Sequence, residues 1–318
     1  MRFATFARES VEYCGVVSDD GIHPFDPGVD LLGLVRLGLP ELLEAGSLVM
    51  KRSTPLDLAQ VTLRPPLQPP TVRDFMTFER HVEGVARGFG DTVPEDWYVE
   101  PVFYFSNPYS MIGAHDDVPI PPGCHAFDFE LEVAAVIGRP GADLTPEQAR
   151  EHIVGYTLFN DWSARDLQGR EMRVKLGPSK GKDSAATLGP WLVTADELEP
   201  RRNAEGFFDL ELTARVNGAE IGRDSLANMA WTFEEMAAHA SRGTVVRPGD
   251  LLGSGTCGNG GCLAELWGRN GQRTPRPLEP GDTVTLTAEG IGSVSNTVTA
   301  GRAPVLVPPA RRRLRTTG

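Results

Sequence analysis

The stretch Phe127-Asp128-Phe129-Glu130-Leu131-Glu132-Val133-Ala134-Ala135-Val136-Ile137-Gly138 constrains this chain more than any other. β-Branched and aromatic residues dominate it and polar and apolar side chains alternate, so it reads as a β-strand. Side chains two apart on a strand share a face. Glu130 and Glu132 therefore point the same way, while Phe129, Leu131 and Val133 pack on the other side. Two like charges side by side are costly unless something cationic binds between them. A hard divalent ion is the simplest answer, since carboxylate oxygens suit Mg²⁺, Mn²⁺ or Ca²⁺. An amphipathic edge strand with a solvated acidic face would write the same pattern.

Composition narrows the function classes. A chain of 318 residues can bury a large core and is expected to hold one large domain plus a smaller one. Its net charge of −12 argues against a nucleic-acid partner, because phosphate contacts need basic surface. Only the tail Arg311-Arg312-Arg313-Leu314-Arg315 is basic, and it reads as a solvated end. Four cysteines in a chain this long make no disulfide framework, and Cys257 and Cys262 lack the spacing of a zinc pattern with nearby histidines. Reduced thiols are expected. The N-terminus lacks a signal-peptide core, and no apolar run approaches the ~18 residues of a membrane span. A cytoplasmic protein without a membrane partner is the expectation.

Residues 1–62 read as a small N-terminal α/β module, with strands near 2–6 and 11–17 and an amphipathic segment near 31–44. The proline-rich connector 63–70 suggests a domain boundary. Residues 74–107, rich in glycine and charge, read as an irregular segment of the kind that forms lids or binding loops. A helix starts at Leu144-Thr145-Pro146-Glu147, with Thr145 as N-cap and Pro146 at the first helical position. From residue 206 onward the chain reads mostly as β, with one helix near 232–240 and a hairpin of 283–289 and 293–299. The sum is a β-rich α+β fold. The larger domain spans 71–305 and the tail 306–318.

Further chemistry-bearing residues cluster in sequence. Asp161, in Asn160-Asp161-Trp162-Ser163-Ala164-Arg165-Asp166-Leu167-Gln168, follows an apolar strand. Arg165 and Gln168 share a helical face if this segment is helical, and Arg165 could clamp a carboxylate or enolate in bidentate fashion. A capping Asp with surface polar residues would look the same. Asp74 and His81 stand in Asp74-Phe75-Met76-Thr77-Phe78-Glu79-Arg80-His81, although a lone histidine is more often structural than catalytic. Lys182 sits in the glycine-rich Gly177-Pro178-Ser179-Lys180-Gly181-Lys182-Asp183, which brings backbone close to a ligand but is not a Walker loop.

Taken in order and spacing, these pieces resemble the fumarylacetoacetate hydrolase family from about residue 72 to residue 300. The nine residues Asn160–Gln168 carry the resemblance furthest. Glu130-Leu131-Glu132, Gly181-Lys182, Gly189-Pro190-Trp191, Pro248-Gly249-Asp250-Leu251-Leu252, Gly255-Thr256 and Pro280-Gly281-Asp282 extend it. The resemblance implies a mixed β-sheet and β-roll catalytic domain that pairs as a homodimer. It also implies cleavage of a carbon–carbon bond in a β-diketone or acylpyruvate such as fumarylacetoacetate or fumarylpyruvate. Relatives with similar ligands decarboxylate oxaloacetate, isomerise or hydrate dienoates, or dehydrate sugar acids.

By the same resemblance Asp74, Glu130, Glu132 and Asp161 are metal ligands, with Mg²⁺ the expected ion and Mn²⁺ or Ca²⁺ as alternatives. His81 is the general base and Glu265 its orienting partner. Smaller members place a glutamate three residues after the histidine, and here that position is Gly84. Lys182 and Gln168 are expected to stabilise an oxyanion, and Arg165, Gln168, Lys182, Tyr104 and Thr256 to contact a keto-acid substrate. Met76 departs from the pattern, standing where the hydrolase has a tyrosine.

Overall fold

The computed structural model describes residues 1–88 and 90–312. Phe89 in the expected lid, and residues 313–318 of the expected basic tail, lie outside the described residues. Across the main sheet the strands run β3 (Gly21–Pro24), β2 (Val11–Ser18), β1 (Arg2–Arg8), β8 (Ala186–Thr194), β7 (Ile153–Asp161), β6 (Leu131–Ile137), β11 (Leu251–Gly253), β4 (Val72–Phe75) and β5 (Phe103–Ser106). Two short strands join off this path: Thr62–Arg64 beside β1 and Met111–Ile112 beside β8. A second sheet orders β10 (Ala219–Ser225), β9 (Glu211–Val216), β12 (Thr283–Ala288), β13 (Gly292–Thr299) and Val118–Pro119. The fold is mixed and strand-rich, as expected.

The acidic stretch forms in two pieces, Phe127–Asp128 and β6, and is not an edge. β6 pairs antiparallel with β7 on one side and β11 on the other, and Glu130 and Glu132 are only 5% and 0% exposed. A solvated acidic face is thereby excluded. Both faces of β6 are covered. Leu131, Val133, Ala135 and Ile137 face the core shared with the second sheet. Ala134 and Val136 face a second core with Phe3, Val16, Leu34 and Leu42. Burial on both faces explains the near-continuous apolar run at 133–137.

The N-terminal strands build no sheet of their own. β1 pairs antiparallel with β8 (Arg2↔Val193, Phe3↔Leu192), so residues 1–24 extend the main sheet. The amphipathic segment splits into α1 (Leu31–Val35) and α2 (Leu39–Arg52), because Gly38 turns the chain at φ 95°. Thr145 caps the turn Pro146–Ala149 and forms a capping box with Gln148.

Residues 74–107 are not irregular. They contain β4, helix α3 (Glu79–Gly88) and β5. The glycines that read as breakers serve a close helix contact instead. α3 packs on α6 (Leu263–Asn270), following α4 (Arg165–Val174) and α5 (Phe233–Ser241) in the chain. A Cβ on Gly268 would stand 2.0 Å from the Gly84 carbonyl oxygen, and one on Gly88 would stand 3.1 Å from Gly268 Cα. Such backbone approach is open only to glycine. Among the described residues no helix is long and apolar enough to cross a membrane.

The α3–α6 contact gives a sign test. On an exposed helix face Gly→Ala would stabilise by about 1 kcal/mol. Gly268→Ala is expected to destabilise instead, by roughly 1–3 kcal/mol through overpacking, read from the denaturant midpoint.

Candidate active site

Strand register brings the predicted acids together. Asp74 lies on β4, Glu130 just ahead of β6, Glu132 on β6 and Asp161 at the end of β7. β11 runs between β4 and β6, with Gly253 opposite Asp74 in one register and Ala134 in the other. A Cβ at residue 253 would stand 2.7 Å from Asp74 Oδ1 and 3.0 Å from Glu132 Oε2. Glycine there lets carboxylates from two flanking strands meet over the strand between them. Oxygens of Asp74, Glu130 and Glu132 lie within 4.8 Å of one another.

All four carboxylates are buried, and their electrostatics separate them. Burial and the charge of Asp161 push the Asp74 carboxyl well above its usual range; burial and Asp74 do the same to Glu132. Burial also raises Asp161, against the pull of Lys182. For Glu130 burial acts upward too, but Lys182 and Arg165 outweigh it and leave the group below its usual range. Lys182 Nζ sits 2.5 Å from both Glu130 Oε2 and Asp161 Oδ2. Asp74 Oδ1, Glu132 Oε1 and Asp161 Oδ1 are buried without a hydrogen-bond partner. Asp74, Glu130 and Glu132 oxygens within 4.8 Å of one another, two of these acids with an orphaned oxygen, are a donor set that fits a hard divalent cation; Asp161 stands outside that compact set and is tied to it through Lys182.

The cations and the cleft follow from local chain geometry. Lys182 stays charged, since burial disfavours its ammonium but Asp161 and Glu130 more than compensate. It forms the floor of a cleft of about 310 Å³, with Tyr104, Ser106, Asn107, Lys180 and Asp183 among the lining residues. The Tyr104 hydroxyl donates to Asp161 Oδ2. Thr256 is buried beside Gly255, whose N–H donates to Glu132 Oε2 at 3.0 Å.

Arg165 is placed differently from a free substrate clamp. The two-residue strands Phe127–Asp128 and Ser163–Ala164 pair, which sets the first residue of α4 beside Asp128. Arg165 Nε and Nη2 each lie 2.8 Å from Asp128 Oδ2, and Nη2 lies 2.7 Å from Glu130 Oε1. Its Nη1 donates to Gln168 Oε1 at 3.2 Å. The guanidinium thus pairs with Asp128 and Glu130 and orients Gln168, while its buried Nη2 keeps no hydrogen-bond partner. Asp128 is a site residue that sequence reasoning missed. Its carboxylate accepts from Leu263 and Ala264 N–H at 2.8 and 2.9 Å, in the first turn of α6. The signal was present, since Asp128 stands two residues before Glu130 in the same alternation.

His81 is brought to the site and Glu265 is not joined to it. His81, buried on α3, has its Nδ1 3.7 Å from Cys262 Sγ, and a ring nitrogen, Cys262 Sγ and a Glu130 oxygen lie within 4.8 Å of one another. Burial pushes the His81 pKa down to about 4, with Glu130 opposing and Arg165 and Lys182 assisting, so the imidazole is neutral near pH 7. Glu265 is fully buried on α6, where its carboxylate accepts from Gly260 N–H at 3.2 Å and Arg269 Nη1 at 3.1 Å. No hydrogen bond between Glu265 and His81 is present among the described residues. The Glu265 side chain fills the space over Gly84, one helical turn beyond His81: a Cβ there would stand 2.3 Å from Glu265 Cγ.

Comparison with known proteins agrees with this geometry. Residues 71–299 match the C-terminal domain of fumarylacetoacetate hydrolases. A fumarylacetoacetase of Arabidopsis thaliana is 31% identical, covering 75% of this chain and 69% of its own. A mitochondrial oxaloacetate tautomerase of Xenopus laevis is 32% identical over 63% of this chain and 58% of its own. The solved fumarylacetoacetate hydrolase of Exiguobacterium antarcticum superposes with a TM-score of 0.75 at 27% identity, covering 94% of this chain and 99% of that one.

Crowded acids predict a pH and variant signature. In the metal-free fold Asp74 and Glu132 hold protons that the unfolded chain has released, so their contribution to stability should fall as pH rises above about 4, against the opposite slope of His81, whose lowered pKa makes stability rise between about 4 and 6.5. Glu132→Gln is expected to flatten that slope. It should also abolish the stabilisation expected of a divalent cation in the wild type, about 2.7 kcal/mol at a hundredfold excess over Kd, read as loss of the cation-dependent rise in melting temperature. Scanning calorimetry with cation and with chelator checks both.

Proposed function

The chain belongs to the fumarylacetoacetate hydrolase family, and from that membership we propose that it hydrolyses a carbon–carbon bond in an acylpyruvate or related β-diketone with a divalent cation, Mg²⁺ or Mn²⁺. The observation that carries the reading is the cradle of orphaned carboxylate oxygens beside a neutral histidine and a buried lysine. Asp74, Glu130, Glu132 and Asp161 would hold the ion. The bound ion supplies Lewis-acid polarisation of the two substrate oxygens and offsets the negative charge that develops there.

The protein's own groups carry the rest. His81, neutral and buried, accepts a proton from water and so raises its nucleophilicity towards the substrate carbonyl. Lys182, fixed by Glu130 and Asp161 at the floor of the cleft, donates to the oxyanion of the tetrahedral intermediate. Gln168, held by Arg165, would assist it; Tyr104 lines the cleft, and Thr256 would contact the substrate by family resemblance. The carbon–carbon bond then breaks, and the leaving enolate takes a proton to become a ketone or 2-keto acid. Residues 71–305 form the catalytic unit of this reading. The homodimer is carried over from the family, and the cytoplasmic assignment is supported by four buried, unpaired cysteines.

One observation favours a second reading. Without a carboxylate hydrogen-bonded to His81, the site has a weaker claim to activating water, and a metal-assisted tautomerase, decarboxylase or isomerase acting on a 2-keto acid needs no activated water, although a hydratase does. Turnover of acylpyruvates with Mg²⁺, with Mn²⁺ and with chelator separates the two. Metal-dependent release of pyruvate plus a carboxylic acid is expected. Enol loss without fragments, or CO₂ from oxaloacetate, would favour the second reading. His81→Ala should lower kcat by about 10²–10⁴-fold, and full kcat would remove it as the base.

A further inference from the structure

Cys262 lies outside every step above, yet it touches the site. Its sulfur is fully buried and reaches His81, 181 residues away in sequence, at 3.7 Å from Nδ1. A Glu130 oxygen completes a trio within 4.8 Å. Sequence spacing found no zinc pattern because these donors are adjacent only in space. The separation itself is informative. Zn–N of about 2.1 Å and Zn–S of about 2.3 Å at the tetrahedral angle put nitrogen and sulfur about 3.6 Å apart. The Nδ1–Sγ edge therefore already has the length of a zinc-site edge.

From this geometry we propose that His81, Cys262 and Glu130 form a second, soft-metal site, which takes Zn²⁺ or Cd²⁺ and shuts the enzyme down. It is distinct from the all-oxygen cradle, which offers hard ligands only. The sulfur is preorganised as the N-cap of α6, where it accepts from Glu265 N–H at 3.4 Å. Burial holds the Cys262 thiol well above its usual range, so the thiolate forms only as the metal displaces its proton, with the bond from Glu265 N–H helping. On binding, the ion replaces the thiol proton, which leaves to solvent, and no electron is transferred. His81, Cys262 and Glu130 supply three ligands and water the fourth, as in open zinc sites. The same ion occupies the lone pair of His81 and draws on Glu130, which the cradle also needs. Loss of turnover rests on the reading of His81 as base; occupancy of the site does not.

The test uses the full chain saturated with Mg²⁺. Cd²⁺ is expected to raise a thiolate-to-metal charge-transfer band in the ultraviolet that saturates at one equivalent. Cys262→Ser should abolish it and Cys257→Ser should leave it. Zn²⁺ should inhibit the wild type, and its apparent affinity should fall in Cys262→Ser by more than the 10–100-fold typical of losing an outer partner. A band that persists in Cys262→Ser overturns the proposal. Should Cys262→Ser fail to fold by circular dichroism, zinc-edge X-ray absorption of the wild type decides: one sulfur neighbour supports the site, and a shell of oxygen and nitrogen alone overturns it. A band that forms without loss of turnover supports the site and removes His81 as the base.

Discussion

Carboxylates in the interior of a sheet set the terms for the rest of this structure. Asp74, Glu132 and Asp161 each keep one buried oxygen without a partner, a costly arrangement for a fold that has no ligand to offset it. Neighbouring features can be read as responses to that cost. Gly253 leaves room for two carboxylates to converge, Lys182 bridges Glu130 and Asp161, and Arg165 clamps Glu130, whose carboxyl the two cations hold below its usual range. The apolar cores on both sheet faces then fix the strands that carry these groups, so the cradle is held by packing rather than by a loop.

Asp128 shows how the two halves of the site are tied. It anchors the first turn of α6 through Leu263 and Ala264 N–H and binds Arg165, which in turn holds Glu130 and Gln168. α6 packs on α3 through glycine-to-backbone contacts, and α3 carries His81. One buried carboxylate thus links the placement of the metal cradle to that of the candidate base. Removing it would leave the Arg165 charge buried and half-paired, the situation in which breaking an ion pair costs most.

Much of the site was legible because it is written in short-range rules. The alternation of Glu130 and Glu132, the position of Asp161 at a strand end, and the cap at Thr145 all depend on neighbours in sequence. What could not be read depends on packing between distant elements. Gly84, Gly88 and Gly268 look like breakers until two helices are laid on one another, and so α3 was hidden in a segment that reads as irregular. The rotation of α6 decides that Glu265 faces Gly84 and Arg269 while Cys262 faces His81, and three residues along a helix are enough to exchange those roles. Burial of both faces of β6 rests on N-terminal strands joining the sheet through β8, a pairing no local pattern announces.

The charge balance of the centre argues for how it is filled. Among the described residues, the buried cations paired within the set Asp74, Glu130, Glu132, Asp161 and Asp128 are Lys182 and Arg165. Arg165 is taken up by Asp128 and Glu130, and Lys182 by Glu130 and Asp161. Asp74 and Glu132 have no cation of their own among the described residues, and burial, followed by the charge of Asp161 on Asp74 and of Asp74 on Glu132, pushes both carboxyls well above their usual range. A dication among them replaces those protons and restores ionised oxygens, whereas a further lysine would have to share a space that Gly253 barely leaves open. The two cations already present lie on the side of Glu130 and Asp161, and Lys182 borders the cleft. On the reading proposed above, an incoming keto acid would meet the positive charge of Lys182 and Lys180 in the cleft lining and the ion held by the carboxylates, an asymmetry that would orient its oxygens inward before any bond is broken.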